Sequence, residues 1–271
     1  MRDTAELLSW LVEHETILHS AAAYLMIAVG CVVLTVEVGF NARAPYGKHA
    51  SLTAAQWYGP TIHPKAAWMF QESWAFLVPS ALLLSGISST RCTTAPGNRL
   101  MLAMFMGHYF YRSFVYPLRM RGGARMPIGI CLLAAAFCFF NGYVQGRAWT
   151  AIDVVPAASL FTVAGSLLWA AGLGINLHSD AVLRNLRQPG ETGYRIPRGG
   201  MFEFVSGANY FGEILEWTGY AIASGLRLPA VAFAFFTFAN TAPRARQHHE
   251  WYMTKFDDYP SSRRAIIPFV W

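Results

Sequence analysis

Charge is scarce in this chain. Of its 271 residues only 13% are Asp, Glu, Lys or Arg, against roughly 25% in soluble domains, and 54% are hydrophobic. Lysine is scarcer still, confined to Lys48, Lys65 and Lys255. The one or two soluble domains that length alone would allow are therefore excluded. The four cysteines are Cys31, Cys92, Cys131 and Cys138. Three lie in apolar segments and none forms a CxxC pair, so they read as small core residues and exclude both a disulfide framework and a zinc site. Alternation of polar and apolar residues is missing, which argues against a β-barrel. No GxGxxG word follows a strand, so a Rossmann domain is unsupported. Without a basic, aromatic-interleaved soluble region, nucleic acid is not an expected partner. No internal repeat or cleavable signal is evident; Met1 to Ser20 carries acids and histidines before the first apolar run.

What is present is a succession of apolar runs, each near the ~20 residues that cross a bilayer. They predict an all-α, polytopic integral membrane protein, one domain with about seven transmembrane helices. The spans are placed at Ile17–Val38, Ala66–Ile87, Asn98–Leu118, Met126–Gly146, Ile152–Leu177, Phe204–Gly225 and Leu226–Ala242, the last two as a tight hairpin. Arg43, Lys48, Arg119, Arg121, Arg125, Arg184, Arg187, Arg195, Arg198 and the basic tail from Arg244 to Arg264 then collect on one side. Arg2, Arg91, Arg147 and Arg227 remain opposite. The positive-inside rule puts the N-terminus outside and the C-terminus in the cytoplasm. The formal charge of +6 is explained by this bias and by attraction to anionic membrane lipid. The preference for Arg over Lys hints at a GC-rich genome, favouring a bacterial inner membrane, with the endoplasmic reticulum membrane as the eukaryotic equivalent.

Against this background the polar residues stand out. Leu173 to Trp217 carries Asn176, His178, Asp180, Arg184, Arg195, Arg198, Asn209, Glu213 and Glu216 between two apolar segments. Groups of this kind are costly in spans and point to function. Asn209, Glu213 and Glu216 share one helix face, as would a helix–helix polar network. His178 and Asp180 end the fifth span, where unsatisfied carbonyls also attract polar side chains. The stretch reads as the mouth of a site for a polar ligand. Glu72, beside Gln71 in WMFQESWAFLVP, is a carboxyl within a span. Low dielectric without a cation favours its neutral form, which donates a hydrogen bond to a ketone as readily as to a neighbouring helix. In GHYFYRSFVYP, Tyr109, Arg112 and Tyr116 fall on one face at i, i+3 and i+7, where interfacial aromatics and a snorkelling arginine are the plainer alternative. His248 and His249 are adjacent with no second HxxxH partner, so no metal is expected.

Three words carry a resemblance: GINLHSDAVLRNLRQPGE, YRIPRGGMFEFVSGANYFGEILEWTGYA and FDDYPSSRRAIIPF. They resemble the C-terminal signature of the steroid 5α-reductase family, NADPH-dependent membrane reductases of double bonds conjugated to a ketone. The likeness is dense from about Trp68 onward; before that only Tyr46-Gly47-Lys48-His49 is similar. The resemblance implies that Glu72 and Tyr109 hold the substrate ketone. It implies that Arg112, with Tyr116 along the same face, meets NADPH together with Asn176, Asp180, Tyr194, Arg195, Asn209 and Glu213. Arg244, His248 and Tyr252 would face the cofactor, and the loop with Tyr46 and Lys48 would help cover it. Tyr111 and Gln247 stand where some members have His.

The function this implies is reduction of a 3-oxo-Δ4-steroid at C4=C5 by hydride from NADPH. Residues of about 17–118 would form the substrate chamber, and 119–271 mainly the cofactor site. Apolar, steroid-like enone would enter from the bilayer and cofactor from the cytoplasm. Membrane enoyl-thioester and polyprenol reductases share much of the signature. A membrane methyltransferase and a transporter are more distant alternatives, the latter without inverted repeats.

Overall fold

The computed structural model describes residues 6, 10, 12–40, 57–186 and 193–270. Tyr46 and Lys48, and the turn at Pro189–Gly190, lie outside the described residues. Almost everything described is helix. α1 is Glu15–Leu34, α2 Pro64–Leu84, α3 Thr90–Thr94, α4 Pro96–Phe110, α5 Tyr116–Arg119, α6 Ile128–Arg147, α7 Leu160–Asn185, α8 Ala208–Ala223 and α9 Leu228–Lys255. Two-residue strands, β1 (Thr61–Ile62) and β2 (Met126–Pro127), pair antiparallel. The α1 segment extended to Gly39, the α6 segment extended to Ile152, and α7 are long and apolar enough to cross a membrane. Leu84, Leu133, Leu160 and Leu167 point outward, an apolar exterior suited to lipid and costly in water. α2, α4, α8 and α9 overlap the other four expected spans.

The tightest packing joins α7 to α8. Gly165 and Gly172 face Gly219 and Gly212 at heptad spacing. A Cβ on Gly172 would fall 2.2 Å from Glu216 N, and one on Gly212 would fall 2.5 Å from Asn176 N. Small residues let helix backbones meet where lipid gives no hydrophobic drive. This register sets the polar residues of the two helices side by side. The hairpin from α8 to α9 is as short as expected. Its turn has Leu226 at φ 60°, and Arg227 N donates to Ser224 Oγ at 3.0 Å. Phe105, Tyr109, Trp217, Tyr220 and Phe233 build an aromatic core between α4, α8 and α9.

Three of the expected spans have boundaries that differ from expectation. The fifth span begins at Leu160, not Ile152. Asn98 holds the preceding loop extended, donating to Asp153 O at 2.7 Å and accepting from Val155 N at 2.8 Å. Ser159 then caps the helix by accepting from Thr162 N at 3.0 Å. The helix continues to Asn185, so His178 and Asp180 lie inside it and not at its end. The sixth begins at Ala208 because the chain before it pairs with the tail. Ser206 N and Gly207 N donate to Arg264 O and Ala265 O at 2.9 and 3.0 Å. The seventh runs through Pro243 to Lys255, so much of the basic tail is helical.

The straight i, i+3, i+7 face is also interrupted. Tyr111–Val115 forms a π-turn before α5. Pro117, lacking an N–H, cannot continue the α pattern back to Ser113, and the wider turn accommodates it. At one end of the bundle Arg147 pairs with Glu15 at 2.5 Å, and Arg227 lies 3.8 Å from Asp153. Arg147 and Arg227 thus sit toward one end, as the loop charges indicated.

Candidate active site

α2, α4 and α6 bring the chemistry-bearing residues together. Glu72, half-buried on α2, accepts from Gln71 Nε2 at 3.4 Å and from Cys138 Sγ of α6 at 3.9 Å. Tyr109 is buried on α4, its ring near Trp217 and Phe105. Its hydroxyl accepts from Asn141 Nδ2 at 3.3 Å. Glu72 and Glu213 lie within electrostatic reach of both Tyr109 and Arg112, so these four groups share one region.

The π-turn aims Arg112 across the bundle. Its Nη1 lies 3.3 Å from Asp180 Oδ2 on α7. Its guanidinium carbon sits over the rings of Trp68 and Tyr116 at 4.8 and 4.7 Å. A cation here is held by one carboxylate and two π faces, which offsets the cost of burial. One turn before Asp180, Asn176 Nδ2 donates to Asn209 O at 3.0 Å. The face made of Arg112, Tyr116, Asn176, Asp180, Asn209 and Glu213 is therefore assembled.

The remaining expected residues lie on the connection between α7 and α8 and on α9. Arg195 lines a cavity of about 570 Å³ with His178, Asn185 and Arg198. The Tyr194 ring meets Trp251 edge-on at 4.9 Å, and His248 tilts over Tyr210 at 5.6 Å. Tyr252 stacks on Tyr259 at 5.3 Å, inside the tail cluster. Arg244, on α9, is within electrostatic reach of Glu37 at the end of the first span. Neither Glu72 nor Tyr109 lines that cavity, so the expected residues divide between the surroundings of Arg112 and a rim around Arg195.

The tail is tied to the rim. Arg263 is buried and donates to Pro197 O at 2.8 Å, with Glu203 Oε2 at 3.6 Å. Ser206 Oγ bonds both His249 Nδ1 and Tyr259 Oη at 2.6 Å. Burial holds the His249 imidazole below the usual histidine range; Glu250 counters this and Arg264 adds to it. The Gly199 N–H holds the Glu203 carboxyl below its usual range, helped by Arg263 and Arg198. Among the described residues no group of three or more His, Cys, Asp or Glu is placed to hold a metal.

A sequence-family model described as 3-oxo-5-alpha-steroid 4-dehydrogenase matches residues 124–271. The chain is 47% identical over 255 residues to 3-oxo-5-alpha-steroid 4-dehydrogenase 1 of Macaca fascicularis, covering 93% of each. It is 46% identical to the same-named protein of Homo sapiens, covering 93% of this chain and 95% of that one. It is 42% identical to the human protein named 3-oxo-5-alpha-steroid 4-dehydrogenase 2, covering 92% and 95%. The chain belongs to the steroid 5α-reductase family.

As a steroid 5α-reductase family member it is an oxidoreductase acting on a CH–CH group, in a membrane setting. The similarity covers 93% of the chain, so it reaches well before Trp68, where only the YGKH word had been recognised. These relatives are mammalian, which gives no support to a bacterial inner membrane. A reductase of this family implies a nicotinamide cofactor, and the residues fit one. Asn176 Oδ1, Ser179 Oγ and Arg184 Nη1, along one stretch of α7, are buried without a partner among the described residues. Such atoms are costly unless a ligand satisfies them. Sequence reading passed over His108, whose Nδ1 lies 2.7 Å from Glu216 Oε1 in a fully buried pair between α4 and α8. It also passed over Asn141 and Gln145, although two amides four residues apart inside an apolar span were a visible signal.

Proposed function

We propose that this protein reduces the C4=C5 double bond of a 3-oxo-Δ4-steroid to the 5α-reduced ketone, using NADPH. The observation that carries this reading is the placement of Glu72 and Tyr109 in one buried region with the Arg112–Asp180 pair, in a chain of this family. Helices up to residue 118 form most of the substrate chamber; residues 119–271 hold mainly the cofactor. When bound, the dinucleotide supplies hydride to the β carbon of the enone.

Tyr109 and the Glu72 carboxyl donate hydrogen bonds to the steroid carbonyl oxygen. As negative charge moves onto that oxygen these bonds strengthen, which is oxyanion-hole stabilisation. A proton then reaches the α carbon and the ketone is restored. Arg112, held by Asp180, Trp68 and Tyr116, would meet the dinucleotide, and Asn176 Oδ1 would accept a hydrogen bond from its carboxamide or a ribose. Asn209 and Glu213 line the same cleft. Tyr194, Arg195, Arg244, His248 and Tyr252 serve the dinucleotide's outer part, with Tyr46 and Lys48 from the covering loop. All seven spans cross the membrane, with the N-terminus outside and the C-terminus cytoplasmic. This places the rim where NADPH is available, while the steroid enters from the bilayer.

The test is NADPH oxidation by the detergent-purified protein. With androst-4-ene-3,17-dione, one 5α-reduced ketone should form per NADPH consumed. Oxidation driven by an enoyl thioester or a polyprenol, and not by the enone, would assign the chain a different substrate.

A further inference from the structure

Asn141 and Gln145 are one turn apart on α6, and both are fully buried. Gln145 Nε2 donates to Pro229 O, at the start of α9, at 2.8 Å. A backbone carbonyl only accepts, so the amide atom facing it is nitrogen. The same nitrogen lies 3.4 Å from Asn141 Oδ1. An acceptor must face that donor, which turns the Asn141 amide so that Nδ2 points at Tyr109 Oη, 3.3 Å away. One backbone carbonyl thus fixes the polarity of two amides in succession, where amide orientation is otherwise ambiguous. At the end of the relay the Tyr109 hydroxyl accepts. Its single proton is left for a different acceptor.

We infer that Asn141 is a positioning residue for the reduction: anchored through Gln145 to the Pro229 carbonyl, it commits the Tyr109 hydroxyl to donate to the substrate carbonyl. The bond from Asn141 also supports charge on the Tyr109 oxygen as its proton is drawn toward the forming enolate. This inference rests on the role proposed for Tyr109. The relay costs something, since Gln145 Oε1 is buried without a partner among the described residues.

A double-mutant cycle with androst-4-ene-3,17-dione and NADPH tests this. Asn141→Leu keeps the bulk and removes the donor; it should lower kcat about tenfold, the effect of one hydrogen bond, with NADPH affinity unchanged. In a Tyr109→Phe background the same substitution should change kcat less than about twofold, because the group it acts through is gone. Equal losses in both backgrounds would overturn the inference while leaving Tyr109's role intact. Full turnover in Tyr109→Phe alone would instead remove the reading on which it rests. Asn141→Asp keeps the shape and serves if the Leu variant does not fold. Its acid donates only when protonated, so activity should begin to fall at a lower pH than in the wild type. A pH profile superimposable on the wild type's would contradict the positioning role.

Discussion

Gly172→Ala isolates what the close approach of α7 and α8 does for the site. The added Cβ would lie 2.2 Å from Glu216 N and 2.6 Å from Glu216 Cα, where ordinary contact begins at 3.4 Å. Both neighbours are backbone, so no side chain can turn aside, and the helices must part by about 1.2 Å locally. Overpacking of this kind costs about 1–3 kcal/mol. One turn along, Asn176 Nδ2 donates to Asn209 O at 3.0 Å, and parting the helices stretches that bond past its useful range. Losing it costs about 1 kcal/mol more, and NADPH affinity should weaken roughly five- to tenfold. Gly174→Ala is the control: same helix, same substitution, but exposed and with nothing within 4 Å. There alanine should be neutral or stabilise by about 0.5–1 kcal/mol, the usual gain over glycine within a helix. Thermal unfolding in detergent and NADPH titration by fluorescence would compare the two. Equal stability and equal NADPH affinity in both variants would refute the idea that backbone contact sets the cofactor face.

Three further outcomes follow from the site and rim. Asp180→Asn removes the carboxylate 3.3 Å from Arg112 and should raise the NADPH Kd at least tenfold, a hydrogen bond to a charged group being worth about 1.5–3 kcal/mol; equilibrium titration showing wild-type affinity would contradict this. Burial lowers the His249 pKa, so the folded state binds fewer protons than the unfolded chain. Docking of the tail is therefore at full strength above the ordinary histidine value of about 6.5 and weakens as pH falls from there toward the depressed folded value. Hydrogen-exchange protection factors at 204–207 and 263–266 should fall over that window in the wild type and lose the dependence in His249→Gln; pH-independent protection in the wild type would count against it. For orientation, a reporter active only in the cytoplasm should work when fused after Trp271, and silence there with activity at the N-terminus would reverse the topology.

The helical class was legible, as were Glu72 and Arg112, because few readings are open to a carboxyl or an arginine inside an apolar run. The roles expected of Tyr109 and Asp180 came from the family resemblance, and the structure sets Asp180 against Arg112. Less legible was anything set by the rotation of one helix against another. Gly165, Gly172, Gly212 and Gly219 are unremarkable along the chain, and only the facing backbone shows why side chains are excluded. The His108–Glu216 pair spans α4 and α8, so neither residue signals the other in sequence. Hydropathy placed the fifth span too early, at Ile152, since it cannot see that Asn98 holds the loop before Leu160 extended. The role of Arg263 depends on a tail that folds back to Pro197 and Glu203, a contact no local pattern encodes.

The proposed chemistry stands most directly on the turnover of Glu72 and Tyr109 variants measured beside their NADPH affinity. If both groups stabilise charge on the carbonyl oxygen, Tyr109→Phe and Glu72→Ala should each lower kcat about 10²–10³-fold, with the NADPH Kd near wild type. Glu72→Gln, which keeps the shape and a weaker donor, should fall between wild type and Glu72→Ala. Undiminished turnover of androst-4-ene-3,17-dione in both Glu72→Ala and Tyr109→Phe would place the ketone elsewhere in the membrane.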